Sequence, residues 1–174
     1  MRAHNGHRGP IGPCDSVFSA PNQDTASGVS VIFDPKIQSK VLHTEYIEGH
    51  AIIIVTLIKD IKSIVCGVYG SSKGDRESAV ILNKFVITLR AVATDYPEYQ
   101  NMIVGGDFNV SISRADTTGT LRKPNTRQVY INMLNEFSLA DTAELSTGTP
   151  SHTWRGPGFR GRTARLDRIP VSSK

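Results

Sequence analysis

At 174 residues, 39% of them hydrophobic, the chain is long enough for one globular domain with a buried core. Lys and Arg exceed Asp and Glu by 20 to 16, a formal charge of +4 that suits a polyanionic partner yet lies within the ordinary range. Two cysteines, Cys14 and Cys66, exclude a disulfide framework or zinc knuckle, and the longest apolar run, Ala51 to Val55, falls far short of the ~20 residues of a membrane span.

Met1 to Ser27 is rich in Gly, Pro, Asn and Ser and reads as an irregular lead-in without a secretory leader, so an intracellular location, nuclear or cytoplasmic, with no membrane is expected. Gly28 to Phe33, Ala51 to Ile58 and Ser63 to Tyr69 read as strands, with Lys59 to Lys62 as the connection of a hairpin. Between Asp75 and Asp95, Ile81, Phe85, Leu89 and Val92 recur on one helical face, with Asp75 or a nearby Ser as the cap. Met102 to Val104 is a further strand. Pro124 opens a second helix, where Asn125 and Gln128 have the spacing of a capping box and Val129, Met133 and Phe137 follow. A connector bearing Asp141, a short strand at His152 to Trp154 and a last strand from Arg165 to Val171 complete the chain. Strands interleaved with two helices predict a mixed α/β layered domain.

The chemistry concentrates at strand ends. Met102 to Asn109 passes from an apolar run through Gly105 and Gly106 to Asp107 and Asn109, which share one face of an extended backbone while Phe108 faces the core. A carboxylate can bind a hard cation or hold an attacking water, and an amide can donate to a phosphate oxygen. The alternative is a turn in which Asp and Asn satisfy only their own backbone. Tyr69 ends one strand before the small polar turn Gly70-Ser71-Ser72, and otherwise reads as a core-edge tyrosine. Asp167, inside the last strand, needs a partner there, for which Arg165 and Arg168 are the simple surface choices.

Together, Gly106-Asp107-Phe108-Asn109 after an apolar strand, Val68-Tyr69, Thr153-Trp154 and Ala164-Arg165-Leu166-Asp167-Arg168-Ile169 resemble the endonuclease/exonuclease/phosphatase superfamily. The resemblance is nearest to the apurinic-endonuclease-like domain of LINE-type non-LTR retrotransposons, and Phe137 to Thr142 resembles that group's connector. It implies an α/β (α+β) fold, a four-layered αββα sandwich of the DNase I-like type, that cuts phosphodiester bonds in DNA with Mg²⁺ or Mn²⁺. It also implies site roles: Asp107 on the attacking water or leaving oxygen, Asn109 on the phosphate, Asp107 and Asn109 at the metal, Tyr69 on the phosphate, and Asp167 orienting a histidine. A reverse transcriptase domain in the parent element is the partner it suggests.

Departures accompany the match. The family's early Asn and metal-binding Glu have no counterpart before Gly28, and no histidine follows Asp167; His4, His7, His43, His50 and His152 all come earlier. Residues 28–174 are therefore expected to be a partial domain lacking its first strands and last strand, preceded by the lead-in at 1–27. An inactive remnant that at most binds nucleic acid, or a phosphoesterase acting on a lipid or inositol phosphate, are the other readings. The Arg-rich stretch containing Arg160, Arg162 and Arg165 is read either as a DNA-backbone contact or as a solvated loop. Gly156 to Gly161 matches a dinucleotide-binding glycine pattern literally but leads into a strand, which makes that site improbable.

Overall fold

β-branched runs and one long amphipathic helix determine most of the architecture. The computed structural model describes residues 6–11, 14–19, 28–145, 151–157 and 161–173. Strands β1 (Gly6–Ile11), β2 (Cys14–Ser19) and β3 (Val29–Phe33) form a small antiparallel sheet in that order. The segment read as irregular thus contains a hairpin: Gly9 and Pro10 hide its period-two pattern, and backbone pairing to β3 supplies the order that the pattern does not.

The larger sheet begins with β4 (Ser39–Ile47), β5 (Ala51–Ile58) and β6 (Ile61–Tyr69), an antiparallel meander. Between β5 and β6, Lys59 and Asp60 both take positive φ, 49° and 66°, the two-residue turn whose twist matches a hairpin. Helix α1 (Asp75–Asp95) crosses over to β7 (Asn101–Asp107), which lies parallel to β6. Helix α2 (Pro124–Glu136) leads to β8 (Ala140–Asp141) and the short α3 (Thr142–Leu145). A two-stranded ribbon, β9 (Trp154–Arg155) with β10 (Thr163–Ala164), precedes β11 (Asp167–Arg168) and β12 (Pro170–Ser173). The large sheet runs β4-β5-β6-β7-β12-β8, and β11 also pairs with β7.

Both faces of β5 are buried. Ile53 and Val55 face the main core with Phe85 and Leu89 of α1 and Tyr130 and Met133 of α2; Ile52 and Ile54 face Phe33, Val29 and Val31 of the small sheet. The layers are therefore helices, large sheet, small sheet, a DNase I-like α/β sandwich, with three of the four expected layers present among the described residues. No helix of the described residues is long and apolar enough to cross a membrane.

Candidate functional site

Register brings the sequence-predicted side chains into one row. Tyr69 at the end of β6 pairs with Asp107 at the end of β7, and Asp107 pairs with Asp167 of β11 on its other side. Cross-strand partners share a face of the sheet, so Tyr69, Asp107 and Asp167 stand side by side. Two glycines permit this junction. Gly106 has φ +145°, and a Cβ there would lie 1.9 Å from Val68 O, while one on Gly70 would lie 2.3 Å from Phe108 O. The glycine before Asp107 thus serves the approach of strand to strand, where ligand access is the use its sequence suggests.

Asn109 completes the corner. Its φ of 50° is left-handed, a conformation Asn tolerates better than most residues. Its backbone N–H donates to Asp107 Oδ1 at 2.8 Å, and its Nδ2 donates to Gly70 O at 2.7 Å and Asp107 Oδ2 at 3.2 Å. A carbonyl and a carboxylate only accept, so the amide orientation is forced and Asn109 Oδ1 is the end that remains for a ligand. Burial raises the pKa of half-buried Asp107; the Asn109 N–H opposes this, the Asp167 charge adds to it, and Lys123 pulls it back.

Asp167 is exposed, and its backbone N–H, like that of Leu166, donates to Thr153 Oγ1. Among the described residues no histidine bonds to it: His152 joins Ala115 O and Thr163 Oγ1, and His50 stacks on Tyr69 with ring centroids 6.4 Å apart. His50 is an addition that sequence position alone does not suggest, since it reaches Tyr69 from the β4–β5 turn and bonds Tyr69 O through Nδ1 at 3.0 Å.

Beside the row lies a groove of about 350 Å³ whose walls include Ser72, Asn109, Arg122, Lys123, Trp154 and Arg162. Among the described residues no carboxylate lines it. Arg162 is exposed there, as both the DNA-contact and the solvated-loop readings require, and Arg160 lies outside the described residues. Arg165 is different. Only 4% exposed, it is ion-paired with Asp116 and Asp141, so burial removes it from the surface on which DNA binding was expected.

The donor set suits a small hard cation in a limited way. Among the described residues no cluster of three or more His, Cys, Asp or Glu is placed to hold a metal. Asp107 and Asp167 are adjacent like charges, and Asn109 Oδ1 is free beside them; Mg²⁺ commonly takes one or two carboxylates and completes its shell with water and substrate phosphate.

Two packed sheets, with helices against the larger one and polar side chains at the ends of its central strands, define a DNase I-like fold. The chain belongs to the Endonuclease/Exonuclease/phosphatase family, whose profile matches residues 2–173. Solved structures agree on the fold. A Neisseria 3′ phosphatase, NExo, bound to product DNA hairpin is 17% identical with a TM-score of 0.66, over 97% of this chain and 67% of that one. The endonuclease domain of TRAS1, a telomere-specific non-LTR retrotransposon, is 14% identical with a TM-score of 0.64, over 93% and 68%. An AP endonuclease from Archaeoglobus fulgidus is 15% identical with a TM-score of 0.65, over 91% and 66%. The chain spans about two thirds of the length of each of these structures. No curated protein matches the chain.

Proposed function

We propose that the chain is the catalytic fold of a metal-dependent phosphodiesterase that nicks DNA, of the kind carried by non-LTR retrotransposons alongside a reverse transcriptase. The observation that carries this reading is the row Tyr69, Asp107 and Asp167, closed at one end by Asn109. Similarity in fold to a retrotransposon endonuclease domain and to two other DNA-processing enzymes supports it.

Bound Mg²⁺ or Mn²⁺ supplies charge neutralisation at the phosphoryl oxygens, and Asp107 with Asn109 Oδ1 would hold it. The remaining work falls to side chains of this chain. Asp107, its pKa raised by burial, is suited to accept a proton from an attacking water. The Tyr69 hydroxyl is a donor for a phosphate oxygen. Arg122 and Arg162 hold the strand in the groove as phosphate contacts. Because both amide hydrogens of Asn109 are committed, its role here is that of an oxygen ligand to the cation, in place of the phosphate donor the family resemblance implies.

A second reading, nucleic-acid binding without turnover, is favoured by the shortage of metal ligands and of a histidine at Asp167 among the described residues. Nicking of supercoiled plasmid with Mg²⁺ or Mn²⁺ separates the two. Under the first reading the purified chain nicks, EDTA abolishes it, and Asp107→Ala lowers the rate by about 10²–10⁴-fold. Folded protein that binds plasmid without nicking it would favour the second.

A further inference from the structure

Lys123 is a costly residue where it stands. It takes a left-handed conformation, φ 56° and ψ 59°, immediately before Pro124, and it places a cation at the N-terminus of α2, where the helix dipole disfavours one. Its ammonium is half-buried and donates to Ser71 O at 2.5 Å and Ser78 Oγ at 3.0 Å. Both acceptors are neutral, and among the described residues no carboxylate pairs with it. An ammonium has three hydrogens, so one is left without an acceptor among the described residues. Among the described residues no acid lines the groove that Lys123 borders, whereas Arg122, Arg162 and Asn109 all do.

We propose that Lys123 is a fixed phosphate-binding cation of this site, clamped by Ser71 and Ser78 and directing its third N–H to a phosphate oxygen beside Asn109. The proposal rests on the phosphodiesterase reading and adds to it a residue that acts on the substrate before and without the metal. Burial lowers the pKa of the Lys123 ammonium while the charges of Asp107 and Asp75 oppose that shift, and a phosphate anion beside it would oppose it further. The ligand is a phosphate oxygen of either a diester or the monoester product. Dimethyl phosphate and inorganic phosphate represent the two.

The test is ³¹P NMR titration of the whole chain with each probe in EDTA. Lys123→Met is expected to weaken binding of at least one probe by about tenfold or more, and Lys123→Arg by less. Because Lys123→Met also removes a tie between α2 and the β6–α1 loop, wild-type protein is examined in parallel by reductive methylation and peptide mass spectrometry. Phosphate should protect Lys123 and leave exposed Lys59 unprotected. Equal binding by folded Lys123→Met, or equal labelling of Lys123 with and without phosphate, overturns the proposal. Plasmid nicking that depends on Asp107, with no phosphate effect at Lys123, would sink this inference alone. Protection of Lys123 without any nicking would sink the nuclease reading alone.

Discussion

Arg165 and Arg168 flank Asp167 in the chain, yet both turn away from it into the interior. Arg165 Nε lies 2.9 Å from Asp116 Oδ1 and Arg168 NH2 2.7 Å from Asp116 Oδ2, while NH1 of each approaches Asp141 Oδ2 at 3.2 and 2.8 Å. All four residues are at most 4% exposed. Asp116 Oδ2 also accepts the backbone N–H groups of Ile112 and Ser113, which ties the loop after Asn109 into the same box. Burial alone would raise the Asp116 pKa, but the Ser113 N–H and the two guanidinium groups outweigh it and hold it at about 2, below the usual 3.8. A depressed carboxyl contributes stability that is complete above about pH 4 and is lost as pH falls toward 2. Wild-type protein is expected to lose on the order of 2 kcal/mol from this group across that window. Asp116→Asn should begin less stable and decline less steeply, as read from urea unfolding at successive acid pH values; parallel declines would remove Asp116 from the account. The sequence shows these arginines only as basic residues near an acid. Their true partners, 24 to 52 positions away, are chosen by the fold.

At the scale of elements, the two helices share one carboxylate. The N-cap of α1 is Gly74, which has no side chain to bond with, and that of α2 is Lys123, which makes no side-chain capping bond. Asp75 instead reaches across to α2: its Oδ2 accepts the Asn125 N–H at 3.0 Å and its Oδ1 the Thr126 N–H at 2.9 Å. The capping box expected within α2 is replaced by a cap from α1, because the sandwich brings the two helix starts together. Asp75→Ala is expected to cost about 1–2 kcal/mol, and amide exchange should accelerate first in the opening turn of α2. Unchanged exchange there would mean that Pro124 alone sets the helix start. Element existence was legible where periodicity is strong: α1 spans the predicted Asp75–Asp95, and β5 the predicted Ala51–Ile58. It was not legible in β4, an edge strand in which His43, Thr44 and Glu45 interrupt the apolar alternation. The single predicted strand from Arg165 to Val171 is divided into β11 and β12, with Ile169 outside both.

For the whole molecule, the sandwich gathers distant parts of the chain around one groove: Ser72, the loop from Asn109 to Lys123, Trp154, and the stretch from Arg162 to Leu166. The placement of Tyr69, Asp107, Asn109 and Asp167 at or beside strand ends was legible in the sequence, because short motifs survive there as motifs. The convergence of Arg122, Lys123 and Arg162 could not, since it depends on how loops fold back over the sheet. That convergence makes a quantitative claim about DNA binding. If these three cations each neutralise one phosphate, the slope of log affinity against log salt should be about −2.7, since each contact releases roughly 0.9 counterion from duplex DNA. Arg162→Ala should make the slope shallower by about 0.9 and weaken binding to all sequences alike, because phosphate contacts position a duplex without reading it. Fluorescence anisotropy in EDTA over a range of salt concentrations measures this without interference from cleavage. A wild-type affinity that does not change with salt would show that the groove is no phosphate track, and the net charge of the chain would then have no bearing on its partner.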